Sequence, residues 1–90
     1  MLARVARFDH LPDDLDDDAV GLLRETLRST PGYVGGFHLV DPTTRKALSI
    51  TVFEDADALR RAGEALAARP AERRVGIAPT EVELYEAHRF

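Results

Sequence analysis

The segment S-T-P-G-Y-V-G-G-F-H-L-V-D-P-T-T-R-K-A-L-S-I-T-V-F-E-D-A-D-A-L, residues 29–59, constrains the fold more than any other part of this chain. It reads as the end of one helix, a β-hairpin and the start of a second helix. Gly32, Gly35 and Gly36 supply backbone freedom just past a helical pattern, and two strand-like runs follow, separated by the turn-rich Asp41-Pro42-Thr43-Thr44. With residues 41–46 as the loop, Val40 pairs with Ala47, Leu39 with Leu48, His38 with Ser49, Phe37 with Ile50 and Gly36 with Thr51. Because strand side chains alternate, one face then carries Phe37, Leu39, Leu48, Ile50 and Val52. The other carries His38, Val40, Ala47, Ser49, Thr51 and Phe53. Neither has the composition of a solvent face.

The flanking sequence completes the arrangement. Residues 2–8 alternate as a strand, and Asp9-His10-Leu11-Pro12 breaks it. Aspartates at 13, 14, 16, 17 and 18 precede the helical spacing of Leu15, Ala19, Leu22, Leu23 and Leu27, where they cap free amides and complement the helix dipole. A second helix starts near Asp55 or Asp57 and runs to about Arg69, with Leu59, Ala62, Gly63 and Leu66 as its apolar stripe and Pro70 as its stop. Residues 71–80 form a linker, and residues 82–87 alternate as a last strand. The order β-α-β-β-α-β predicts an α+β, ferredoxin-like split β-α-β fold, a four-stranded antiparallel sheet with both helices on one face. The remaining apolar face would be an exposed patch, and pairing of two copies through it predicts a homodimer.

Ninety residues make one domain, 1–90, without room for a second. No apolar run is long enough to span a bilayer, and Arg4 and Arg7 interrupt the place of a secretory signal, so a cytoplasmic protein is expected. The absence of cysteine excludes disulfides, thiolate catalysis and cysteine-held metal centres. A net charge of −4 with dispersed arginines argues against nucleic-acid binding. The aspartate run lacks the glycine and distal glutamate of a calcium loop, and the glycines precede a strand where a phosphate loop would precede a helix, so neither a metal nor a cofactor is expected. The chain has no Asn or Gln, which removes carboxamides as ligand-orienting groups.

Helix, then T-P-G-Y-V-G-G-F, then a hairpin ending S-I-T-V-F-E-D-A-D-A-L, resembles the dimeric α/β-barrel superfamily and, within it, the antibiotic-biosynthesis-monooxygenase-like domains. The resemblance covers nearly the whole chain. It implies a pocket between sheet and helices, and activities that include cofactor-free oxygenation of aromatic polyketides. Many members have tryptophan where this chain has Phe53. The haem-degrading members use an Asn, that Trp and a His; with no Asn and no Trp here, haem degradation is disfavoured.

Read with that resemblance, His38 is the candidate catalytic base, since an imidazole that titrates near neutral pH can remove an acidic proton from a phenolic or anthrone-like substrate and give a carbanion that meets dioxygen directly. Tyr33, Ser49, Thr51, Phe53 and Tyr85 are candidate substrate-binding residues. The expected ligand is a hydrophobic or aromatic small molecule. The alternative is a non-catalytic dimeric binding module of the same fold, which the absence of Trp, Asn and Gln favours. An open cavity with His38 at its wall would favour the enzyme, and a closed, leucine-filled space the module.

Overall fold

The computed structural model describes residues 1–15, 17–69 and 77–90. The elements run β1 (Leu2–Phe8), α1 (Asp17–Arg28), β2 (Tyr33–Val40), β3 (Ala47–Phe53), α2 (Ala56–Ala67) and β4 (Glu81–Glu86). The four strands form one antiparallel sheet in the order β2-β3-β1-β4. This is the ferredoxin-like α+β fold that the β-α-β-β-α-β patterning predicts. The expected stop at Pro70 and most of the expected linker, residues 71–76, lie outside the described residues.

Every hairpin pair expected from the alternation is found, from Gly36 opposite Thr51 to Val40 opposite Ala47. The loop between them is held by Asp41, whose Oδ1 accepts from the amides of Thr43 and Thr44 at 2.9 and 3.2 Å, while Arg45 closes the turn with φ 63°. The register slips between Tyr33 and Gly35, a bulge the sequence pattern does not announce. Of the three glycines in the segment, Gly32 takes φ +89°, and a Cβ there would meet Ala58 Cβ at 2.6 Å. Gly36 is required for another reason, because a Cβ would stand 2.4 Å from the Ile50 carbonyl oxygen. Gly35 has open space around it.

The core sits between the helices and one end of the sheet. Phe53, 1% exposed, is its largest fully buried side chain and meets Leu27 of α1 together with Ala58 and Ala62 of α2. Tyr33 closes one side, with its ring edge-to-face on Phe53 at 5.6 Å between centroids. α2 begins where the sequence pattern puts it, with Asp55 as N-cap accepting from the Ala58 amide at 2.8 Å. Asp17 and Asp18 stand in the first turn of α1, where their charge favours the positive helix end.

The opposite sheet face has no covering layer among the described residues. Phe37 is 71% exposed there and Leu39 47%, beside Leu48, Ile50, Val52 and Val5. At its β4 edge that face turns polar: Arg7 Nε donates to Glu83 at 2.8 Å, and Tyr85 donates to the same carboxylate.

Two glycine substitutions test this account of the backbone. Gly32→Ala joins a positive φ to a steric clash and is expected to lower unfolding free energy by about 1–3 kcal/mol in urea titrations. Gly63→Ala lies within α2 with nothing within 4 Å of its Cβ and is expected to raise it by about 0.5–1 kcal/mol.

Candidate functional site

Side-chain size along the helix-facing side of the sheet decides where a cavity opens. Near Phe53 and Tyr33 the space under the helices is filled. Toward the hairpin end the floor is Ala6, Ala47 and Ser49, too small to reach the helices, and the result is a cavity of about 720 Å3. Leu15 of the β1–α1 connection, Val20 and Leu23 of α1 and Leu66 of α2 form its apolar walls, and Phe8 and Leu11 close the sheet end. Arg45 fixes that end: its carbonyl accepts from the Leu11 amide at 2.9 Å, its guanidinium donates to the Pro12 carbonyl at 3.3 Å, and Asp13 lies 3.8 Å from its Nε. The β1–α1 connection is thereby fastened to the hairpin loop.

His38 lines this cavity with Ser49, its cross-strand neighbour. The sequence paired these two residues, and the register brings them together. His38 is exposed at the open side of the cavity; loss of hydration over the covered part of its ring lowers its pKa from the ordinary 6.5, and the positive charge of Arg24 lowers it further. Both effects favour the neutral imidazole, the form that accepts a proton.

The remaining candidates are placed elsewhere. Thr51 and Phe53 share the helix-facing side of β3, but both are buried in the filled region, and Tyr33 packs on Phe53 there. They support the wall and do not line the cavity. Tyr85, expected among the substrate-binding residues, lies away from the cavity lining. It pairs opposite Ala3, so strand alternation turns it to the open sheet face, where its hydroxyl donates to Glu83. His10 and His88 are exposed, outside the cavity lining.

The sequence reading missed the charged members of the lining. Arg4 reaches it from β1, Asp17 and Arg24 from α1, and Arg69 from just past the C-cap of α2. The alternation that sorts β1 would have put Arg4 beside Ala6 and Phe8 on the His38 side, once β1 was known to pair with β3.

The fold is that of antibiotic-biosynthesis-monooxygenase-like proteins. No protein-family model matches the chain, and no curated protein matches its sequence. Among solved structures, the chain is similar to SnoaB of Streptomyces nogalater, a cofactor-independent oxygenase, at 23% identity and a TM-score of 0.71 over 99% of this chain and 94% of that one. It is also similar to the monooxygenase from the ActVA-Orf6 gene of Streptomyces coelicolor, solved with nanaomycin D, at 16% identity and a TM-score of 0.59 over 99% and 88% of the two chains. PA3566 of Pseudomonas aeruginosa shares the fold at 19% identity and a TM-score of 0.54, over 99% and 93%. Among the described residues no helix is long and apolar enough to cross a membrane.

The sign of the His38 shift gives a pH dependence. A lowered folded-state pKa means the unfolded chain binds the proton more readily, so stability from this group is present above pH about 6.5 and is lost as pH falls through the folded value. The charged groups facing the cavity with it are Arg4, Asp17, Arg24 and Arg69, of which Asp17 alone is acidic. An NMR titration of the His38 ring is expected to give a midpoint below the ordinary 6.5, and Arg24→Ala is expected to bring it part of the way back, leaving the share due to burial.

Proposed function

We propose that this chain is the protomer of a cytoplasmic homodimer that binds a hydrophobic, aromatic small molecule in the cavity and oxygenates it without metal, flavin or other cofactor. The observation that carries this reading is an open cavity with His38 in its wall beside Ser49. The likeness in fold to a cofactor-independent oxygenase supports it.

The chemistry follows from an acidic substrate C–H. Neutral His38 takes the proton from a ring methylene flanked by aromatic rings and a carbonyl-conjugated system, leaving a delocalised carbanion. The carbanion passes one electron to dioxygen, and the resulting radical and superoxide combine into a carbon–peroxo anion. Histidinium returns the proton to give the hydroperoxide. Loss of water, with removal of the second methylene hydrogen, leaves a ketone, so one oxygen atom enters the product and the other leaves as water. Ser49, on the neighbouring strand, orients a polar group of the substrate, and the apolar walls hold the rings.

The second reading, a non-catalytic binding module, is favoured by the absence of Asn, Gln and Trp. Dioxygen uptake with anthrone, in protein dialysed against a chelator, separates the two. The oxygenase reading expects protein-dependent uptake that falls by roughly 10²–10⁴-fold in His38→Ala and is abolished in Ser49→Leu, whose side chain fills the floor. Full activity in His38→Ala would remove the base.

The dimer is proposed to form through the open sheet face, because burial of Phe37, Leu39 and Ile50 against a second copy is worth roughly 1.5–3 kcal/mol for each fully buried side chain. Sedimentation at micromolar concentration is expected to give a dimer, and Phe37→Asp a monomer with its secondary structure intact. A monomeric wild type would sink the arrangement.

A further inference from the structure

The cavity holds a cation that the proposed chemistry does not use. Arg4 stands in the middle of β1, between Thr51 of β3 and Leu84 of β4, neither of which carries charge. Its side chain lines the cavity, partly buried, and has no hydrogen bond or ion pair with another described residue. Arg24, which lines the same cavity, likewise makes no ion pair with a described residue but is exposed, whereas four other arginines are held by carboxylates. Arg7 is held by Glu83 at 2.8 Å, Arg45 by Asp13 at 3.8 Å, and Arg60 and Arg61 both by Asp57 at 2.6 and 2.8 Å. The chain has 16 acidic and 12 basic residues, yet no described carboxylate forms an ion pair with Arg4. Asp17 lines the same cavity from the first turn of α1 and makes no ion pair with it.

A guanidinium in an apolar-walled cleft loses part of its hydration, and the low-dielectric walls strengthen its field on whatever enters. Its planar fork matches a carboxylate or a phenolate better than any neutral group. Arg4 and His38 lie on the same sheet face, two strands apart, about 10 Å across the sheet and about 7 Å along it between backbones. Both side chains line the cavity, so a ligand long enough to span that separation would meet both.

We infer that Arg4 anchors an anionic group of the ligand, so that the cavity selects aromatic molecules carrying a carboxylate or phenolate at one end and presents their other end to His38. This rests on the cavity being the ligand site, and it adds the ligand's charge and its orientation.

The test uses a matched pair of fluorescent probes, anthracene-2-carboxylate and the neutral 2-(hydroxymethyl)anthracene, titrated into wild type and Arg4→Met. Wild type is expected to bind the carboxylate at least tenfold more tightly than the alcohol, with the preference shrinking between 20 mM and 500 mM salt. Arg4→Met keeps the length and apolar stem, and is expected to lose the preference while its affinity for the alcohol is unchanged. Arg4→Lys is expected to keep part of it. Unchanged alcohol binding also reports that the variant is folded. Equal binding of both probes by wild type overturns the proposal, as does a preference that survives Arg4→Met, and so does failure of either probe to bind. If the preference depends on Arg4 but anthrone uptake is indifferent to His38, the anion site stands and the oxygenase reading falls.

Discussion

The contact on which the rest of the structure depends is the closure of both helices on Phe53. α1 delivers Leu27 and α2 delivers Ala58 and Ala62 to this one ring, and Tyr33 locks its edge. The alanines matter as much as the phenylalanine, because a small residue on α2 lets that helix come down onto the sheet where the ring is already large. Gly32 follows from the same approach: the chain turns under α2 so closely that a side chain there would strike Ala58. One end of the molecule is therefore filled and held.

The cavity is the consequence at the other end. The helices are rigid and fixed at the Phe53 end, so they cannot sink to meet Ala6, Ala47 and Ser49, and the space that a larger floor would fill is left open. The β1–α1 connection then bounds it, tied down by Arg45 from the hairpin loop. Phe53 serves the core and contributes nothing to the cavity lining. The polar groups that do line the cavity are His38, Ser49 and the charged side chains around them.

Strand alternation gives the sheet two separate duties. Odd-numbered residues of β3 face the helices, core and cavity, while Leu48, Ile50 and Val52 face outward with Phe37 and Leu39. Polar pairs gather at the β4 edge of the outer face, where Arg7, Glu83 and Tyr85 satisfy one another, leaving the β2–β3 side apolar. On the inner face the charges are arranged differently. Positive groups outnumber Asp17 around the cavity, and this asymmetry favours a neutral His38 and an anionic guest alike.

The sequence by itself determined the element order, the hairpin register and the division of residues between two sheet faces, because these follow from local periodicity and turn chemistry. It paired His38 with Ser49 for the same reason. It could not say that Thr51, Phe53 and Tyr33 lie in the filled region while His38 and Ser49 lie in the open one, since that depends on where along the strands the helices make contact. Nor could it place Tyr85, whose face is set by the register of β4 on β1, two elements far apart in the chain. Arg4 was legible as a strand residue and illegible as a cavity residue until β1 took its place between β3 and β4. What only the tertiary structure decided, in each case, was the packing of elements distant in sequence, and local patterns carry no information on how far apart two such surfaces come to rest.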